Sequence, residues 1–225
     1  MPEIKVNGTK LYYEIRGKGN PIYILHGGPG LDHRYFGRSL TGLESYRKLY
    51  YIDFRGHGKS SKANKKTYTL ETFTDDINAL REALGHGTIE ILGHSMGGFV
   101  ALLYALRYPK HLDALILVDT TAKQIDIKRY FPLKAGLMYT KLKYNLQYLK
   151  NKTVDKESLD REILLKSCQI YVSDMFLPEY TDYVKSLRGV DIFFDMQQEL
   201  QLFDVSGELE NIHQPTLIIF GEKTR

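Results

Sequence analysis

The stretch IEILGHSMGGFVALLYALRYP, Ile89 to Pro109, constrains the fold more than any other part of the chain. An apolar run of strand length leads into GHSMG, and an amphipathic helix runs from Met96 to about Arg107, closed by Pro109. A strand that hands over to a helix with so little chain between them must turn sharply, and Ser95 sits at the turn. A strand apolar along its whole length, followed by a helix, is half of a parallel crossover unit. Such units build a sheet covered on both faces.

Other segments repeat the rhythm. PIYILHGG and KLYYIDFRGHG are short apolar runs ending in glycine-containing loops, and LDALILVD is a further buried strand. TLETFTDDINALREALG places Phe73, Ile77, Leu80 and Leu84 at helical spacing, with Thr69 as N-cap and Gly85 as C-cap. Ahead of these, EIKVNG and KLYYEIRG flank Asn7-Gly8, a hairpin turn pair. After Thr121 the rhythm breaks. Residues 122–206 hold no comparable strand and read as helices, with Ala135, Met138, Leu142, Leu146 and Leu149 on one face. IHQPTLIIFGEKTR then returns to a buried strand, Thr216 to Phe220. The organisation expected is an α/β core over residues 1–121, a helical insertion over 122–206 and a return to the core over 207–225.

Composition excludes several classes. A net charge of +4, from 31 basic and 27 acidic residues, is too small to imply a polyanion partner. Cys168 is the single cysteine, which rules out an internal disulfide and a multi-cysteine metal site. The start MPEIKVNGTKLYYE has no apolar signal core, and no run of roughly 18 apolar residues occurs, so a cytoplasmic protein without a membrane-spanning helix is expected. The insertion is charge-split: Lys128 to Lys152 holds seven basic residues and no acid, and Asp174 to Glu210 holds nine acids against two bases. Both blocks read as solvated helix faces. Tyr130, Tyr139, Tyr144 and Tyr148 interleave the basic block, but one basic face without a docking motif makes neither a nucleic-acid nor a membrane partner.

The motifs carry chemistry. GHSMG fits G-x-S-x-G, in which a tight turn projects the serine hydroxyl from the sheet. Small residues two positions before and after the serine prevent a strand–helix clash, and the backbone N–H of Met96 faces a developing oxyanion. HGGPG, His26 to Gly30, follows the strand PIYIL. Glycines there let backbone N–H groups face a ligand, which makes Gly28 the second oxyanion donor. In DFRGHGKS, Arg55 is expected to pair with a carboxylate and shape its loop rather than take part in catalysis.

HGGPG, DFRGHGKS and GHSMGG, in this order, resemble the α/β-hydrolase superfamily, and the full HGGPG form is similar to its proline iminopeptidase-like branch. The resemblance runs from about residue 3 to the end, with a loose match in the insertion. It implies a mostly parallel sheet with helices on both faces and a helical cap. It also implies Ser95 as nucleophile, Gly28 and Met96 as the oxyanion hole, hydrolysis through an acyl-enzyme, and no metal or cofactor.

A serine needs a base, and in this fold the order is Ser, then Asp or Glu, then His. The acid is expected four positions into GEKTR, where Thr224 stands, and the histidine after a further strand. The C-terminal helix and last strand therefore read as missing, a length on the order of 40 residues. Of the seven histidines, His94 points to the opposite face from Ser95, His26 braces the oxyanion loop, and His57 at most lines the site. His33, starting a helix near the pocket mouth, is the nearest substitute. His86, His111 and His213 belong to the far end of the sheet or beneath the cap. Asp119, ending LILVD, is an alternative acid; as a strand-end turn residue it caps the following turn instead. Without a histidine the chain is expected to be inactive or weak, and the strand Thr216 to Phe220 to be an exposed edge of low stability. The partner expected is a small-molecule or short-peptide substrate. Glu179, Asp182, Asp195 and Glu199 are available for a cationic α-amine, while the basic block suits an anionic ester or lactone, so a general esterase or hydrolase is the broader reading. A non-catalytic small-molecule binder is the alternative.

Overall fold

The computed structural model describes residues 2–123, 161, 162, 165, 177–188 and 190–221. Strands β1 (Glu3–Val6) and β2 (Thr9–Gly17) form the expected hairpin. Asn7 and Gly8 both take positive φ, 45° and 75°, as a two-residue turn matched to strand twist requires. Strands β3 (Pro21–Leu25), β4 (Lys48–Ile52), β5 (Ile89–His94), β6 (Leu112–Val118) and β7 (Thr216–Ile219) complete one sheet in the order β1-β2-β4-β3-β5-β6-β7. β1 and β2 are antiparallel to their neighbours, and all other pairings are parallel.

Alternation along the strands divides the core into two layers. Tyr23, Leu25, Tyr50, Ile52, Ile91, Leu115 and Leu117 face helices α1 (Leu70–Ala83) and α2 (Met96–Arg107). Ile22, Ile24, Leu49, Tyr51 and Leu92 face the opposite side, against Phe36, Tyr35, Leu40 and Leu43. The central strands β3, β4 and β5 are buried on both faces, which is why their runs read as continuously apolar. Among the described residues the second face is covered by the short turns His33–Phe36 and Thr41–Leu43, and α1 and α2 share the first. The caps of α1 match its sequence. Thr69 Oγ1 accepts from Thr72 N–H at 3.1 Å, and Gly85, at φ 70°, follows the last helical turn.

The chain leaves the sheet after β6 and returns beside it as β7, with Leu115 opposite Thr216 and Val118 opposite Ile219. Described between them are helix α3 (Leu177–Lys185), the helical segments Ile192–Asp195 and Gln197–Leu202, and the turn Ser206–Asn211. The apolar face from Ala135 to Leu149, the basic block, Cys168 and Thr224 lie outside the described residues. The returning strand has the apolar composition of a buried one, read in IHQPTLIIFG, and stands at the exposed edge expected for it. Among the described residues β7 pairs with β6 alone, and Leu217, Ile218 and Phe220 are 56%, 59% and 64% exposed, because α2 packs over β3, β5 and β6 and α1 packs toward β1.

Arg55 has the carboxylate partner its loop implied. Its Nε donates to Asp76 Oδ2 at 2.6 Å, its Nη2 donates to Asp76 Oδ1, and Nη2 reaches the Asn7 carbonyl at 3.1 Å. Asn7 Nδ2 also donates to Asp76 Oδ1, at 2.8 Å. One buried ion pair thus ties the hairpin, the loop after β4 and α1 together. Arg55→Met leaves Asp76 buried without its counter-charge, and urea denaturation is expected to read a loss of about 3–5 kcal/mol. A loss below about 1 kcal/mol would mean that the pair is replaceable by packing alone. The 225-residue chain is also expected to self-associate along β7. Ile218→Lys should then lower static light scattering without altering the circular dichroism spectrum, and unchanged scattering would clear this edge.

Candidate active site

β5 ends at His94 and α2 begins at Met96, so a single residue makes the turn. Ser95 takes φ 51°, ψ −116°. For a residue with a Cβ this backbone region costs on the order of 1–3 kcal/mol. Neighbours hold it there. Its N–H donates to Val118 O at 3.0 Å, and its carbonyl accepts from Gly98 N–H at 2.9 Å and from Thr120 Oγ1 at 2.8 Å. The glycines at −2 and +2 are sterically required. A Cβ on Gly93 would strike Gly97 O, and one on Gly97 would strike Leu25 O and lie 2.7 Å from His26 O. Ser95 is half-buried, and among the described residues its Oγ has no hydrogen-bond partner.

The HGGPG loop lies directly against this turn. A Cβ on Gly27 would be 2.8 Å from His94 Nδ1 and 3.2 Å from Ser95 Cβ. His26 orients the next peptide. Its Nδ1–H donates to Gly27 O at 2.7 Å, while its Nε2 accepts from Phe54 N–H at 3.2 Å. Those two partners fix the neutral Nδ1–H tautomer, and complete burial holds the ring's pKa below the usual value. A trans peptide is planar, so anchoring the Gly27 carbonyl on the His26 side turns the Gly28 N–H the other way. Gly28 itself sits at φ 130°, which favours glycine. Among the described residues no hydrogen bond occupies the N–H of Gly28 or of Met96.

None of the seven histidines hydrogen-bonds Ser95. His94 Nδ1 meets Tyr35 Oη at 2.6 Å. His33 does start a short 3-10 helix, as expected, but it does not open onto a pocket mouth. It lies in the turn His33–Phe36 and is 2% exposed, drawn inward by Asp53, whose Oδ1 accepts from its Nδ1 at 2.7 Å. Its Nε2 lies 3.4 Å from Glu14 Oε2. Burial by itself raises the Asp53 carboxyl, but the His33 contacts outweigh it and hold the group below its ordinary pKa. His57 Nδ1–H donates to Arg55 O at 3.0 Å, and its buried Nε2 has no partner. His86 lies between Tyr23 Oη at 2.9 Å and Tyr50 Oη at 3.4 Å, and His111 donates to Gly87 O at 3.1 Å. His86, His111 and His213 all precede the first residues of strands, at the end of the sheet opposite Ser95. Asp32, His33 and Asp53 offer donor atoms within 4.8 Å of one another, a spacing a cation could use. Their atoms are engaged inside the protein instead: Asp32 takes Arg34 Nη2 at 2.7 Å, and Asp53 Oδ2 takes Lys59 N–H at 2.9 Å.

The strand order and the turn at Ser95 have counterparts among known proteins. The sequence profile described as alpha/beta hydrolase fold matches residues 20–157. The chain belongs to the α/β-hydrolase family. It is similar to proline iminopeptidase PfmaB of Pestalotiopsis fici, 29% identical over 246 residues that cover 98% of this chain and 81% of that protein. It is also similar to a proline iminopeptidase of Lactobacillus crispatus, 40% identical over 121 residues, covering 50% of this chain and only 41% of that protein. Both relatives belong to the proline iminopeptidase-like branch of the family, which this chain resembles. Among solved structures, a thermophilic esterase from Thermogutta terrifontis shares the fold at a TM-score of 0.73 and 22% identity, over 98% of this chain and 80% of that one. No helix among the described residues is long and apolar enough to cross a membrane.

Within this α/β-hydrolase, the remaining predicted positions are dispersed. Asp119 sits at φ 43° and its Oδ1 accepts from Gly221 N–H at 2.9 Å, so it holds the chain after β7 rather than capping the turn that follows β6. Asp195 pairs with Lys65 at 2.8 Å, and Glu199 Oε1 accepts from Leu70 N–H at 3.0 Å, capping α1. Asp182 lies 3.5 Å from Lys185 on the surface, and Glu179 is exposed. The four acids therefore face four different environments. Sequence reasoning missed Thr120, Tyr35 and the docking of α3. Tyr183 Oη accepts from Asp32 N–H at 2.9 Å and donates to Asp32 O at 3.2 Å, and Arg34 Nη1 reaches Ser186 Oγ at 3.1 Å. Leu31, Val184, Leu187 and Val190 form a small apolar cluster beneath these contacts. The aromatic pair in HRYF, directly after the glycine loop, was the one signal present. Nothing in sequence links Tyr183 to a turn some 150 residues earlier.

His57 makes stability pH-dependent. Burial pushes its pKa down from 6.5 to about 3. Below about pH 6.5 the unfolded chain binds a proton that folded His57 refuses, so stability rises with pH between those values. His57→Asn is expected to flatten unfolding free energy between about pH 4 and 6 by up to one proton, about 1.4 kcal/mol per pH unit. An unchanged slope in urea titrations would show that His57 takes up protons in the folded state.

Proposed function

We propose that the chain carries the nucleophile and oxyanion hole of a serine hydrolase that cleaves a small ester, amide or N-terminal peptide bond through an acyl-enzyme. One observation carries this reading: a strained serine, its hydroxyl unengaged among the described residues, is followed by the Met96 N–H and lies against the loop of Gly28, two backbone N–H groups likewise unbonded among those residues. Ser95 Oγ attacks the carbonyl carbon, the carbonyl π pair moves onto oxygen, and the two N–H groups stabilise that charge. Collapse expels the leaving group, and water cleaves the resulting ester. Nothing in this route calls for a metal or cofactor.

Proton removal is the weak step. Every histidine is engaged elsewhere, enclosed as His57 is, or at the far end of the sheet, and Asp119 holds Gly221. These 225 residues therefore turn substrate over weakly or not at all, at the level an oxyanion hole and binding sustain without a base. The substrate class rests on the relatives, named as proline iminopeptidases, and on fold neighbours named as esterases. The four acids, held apart, favour a general ester or amide over recognition of an α-amine. We place the core in residues 1–121 and 207–225 and the cap in 122–206, in a cytoplasmic protein. The same engaged histidines favour a second reading, a non-catalytic binder of small molecules.

Acetylation by p-nitrophenyl acetate separates the two. An acyl-enzyme without an efficient deacylating base should accumulate, so peptide mass mapping is expected to find an acetyl group on Ser95 and none in Ser95→Ala. Ligand binding by the chain with no adduct on Ser95 would establish the binder instead.

A further inference from the structure

The structure assigns Tyr35 a positioning role: its hydroxyl locks the oxyanion loop to the residue preceding the proposed nucleophile, an inference that rests on the reading of Ser95 and Gly28 above. Tyr35 Oη lies between the loop after β3 and the last residue of β5. Gly27 N–H donates to it at 2.8 Å, and His94 Nδ1 lies 2.6 Å away. A backbone N–H is always a donor, so the Tyr35 oxygen accepts from Gly27, and its O–H donates to His94 Nδ1. Burial acts the same way on both partners. It raises the Tyr35 hydroxyl's pKa and lowers that of the His94 ring, the latter partly offset by the charge of Asp119. The hydroxyl stays protonated, the imidazole stays neutral, and His94 is fixed as its Nε2–H tautomer.

The bond has a geometric consequence. Gly27 O is held by His26 and Gly27 N–H by Tyr35, so both polar groups of the residue preceding Gly28 are fixed. One anchor is His26, at the end of the loop's own strand, and the other is Tyr35, which is in turn bonded to His94 on the strand that leads to Ser95. The Tyr35 ring is itself fixed, stacked on Phe36 with centroids 4.3 Å apart and flanked by Tyr183 at 6.5 Å. Removing the hydroxyl alone should release the loop from β5 without emptying the space the ring fills.

Nuclear magnetic resonance on the 225-residue chain tests this without turnover. In Tyr35→Phe, hydrogen exchange at Gly27 N–H is expected to quicken about tenfold or more, and His94 to lose its single Nε2–H tautomer, with an unchanged circular dichroism spectrum. Phenylboronic acid, which adds to a serine hydroxyl and places an oxygen in the hole, should bind about tenfold more weakly. His94→Asn keeps an acceptor near the Nδ1 position and should preserve Gly27 protection, whereas His94→Leu should lose it. This pair serves equally if Tyr35→Phe does not fold. Tyr183→Phe, which loosens α3 but not this bond, should leave the His94 tautomer unchanged. Gly27 protection that survives Tyr35→Phe, or boronate affinity unmoved while protection is lost, overturns the positioning role. If Ser95→Ala leaves boronate binding as it was, the serine reading fails and the catalytic purpose fails with it. The exchange and tautomer data would in that case decide the lock alone.

Discussion

A serine at φ 51° is strained by its own Cβ, and nothing within the turn relieves that strain. The surrounding elements sustain it. One hydrogen bond from the Ser95 N–H and two to its carbonyl offset part of the cost, at about 0.5–1.5 kcal/mol each. Helix α2 contributes more. Seated by the turn, it buries Met96, Phe99, Val100, Leu102 and Tyr104, and a buried apolar side chain of this size contributes about 1.5–3 kcal/mol. Packing of one helix thus outweighs the strain several-fold, and the helix can sit there only because Gly93, Gly97 and Gly98 leave room for adjoining backbone and Thr120.

At the carboxyl ends of the central strands, histidines serve as connectors. His26 donates at one nitrogen and accepts at the other, and His94 accepts a phenolic proton. Burial favours the neutral ring in both, and in His57 as well. A neutral imidazole with one donor and one acceptor joins two backbone segments that could not otherwise meet. His33 has a different setting, between Asp53 and Glu14. A count of histidines near a serine therefore overstates the supply of bases, because a nitrogen already engaged cannot take a proton from substrate or nucleophile.

Much of this was legible in the residues. The elbow, the limits of α2, the hairpin at Asn7-Gly8 and the Thr69 cap follow from local chemistry, where a glycine or a capping hydroxyl has one good use. Arg55 needed a carboxylate, but its identity as Asp76 depends on how α1 lies across the hairpin. TLIIF reads as a buried strand because its composition matches the central strands. Its exposure is set by its place in the sheet order, which periodicity does not report; the exposed edge is expected instead from the order of strands the resemblance implies. Tyr35 and Tyr183 were invisible for the same reason. Their hydroxyls bond to backbone that only the fold brings near, Gly27 and Asp32, and Tyr35 meets the His94 ring from a strand far along the chain.

The end of β6 shows how these parts depend on one another. Three consecutive residues serve two neighbours. Val118 O takes the Ser95 N–H, and Thr120 Oγ1 braces the Ser95 carbonyl. Between them Asp119 N–H donates to Ile219 O at 2.9 Å, and its carboxylate accepts from Gly221 N–H. At the other end of the strand, Leu115 N–H donates to Pro215 O at 2.9 Å. β7 is therefore clipped at both ends, exposed in its side chains yet fixed in register. The positive φ of Asp119 lets its side chain turn toward β7 while Thr120 turns toward the elbow. For Asp119 to act as a catalytic acid it would have to bond a histidine in addition to the Gly221 N–H. A carboxylate has acceptor sites for both, so its present contact positions the loop after β7 without using up the group's capacity.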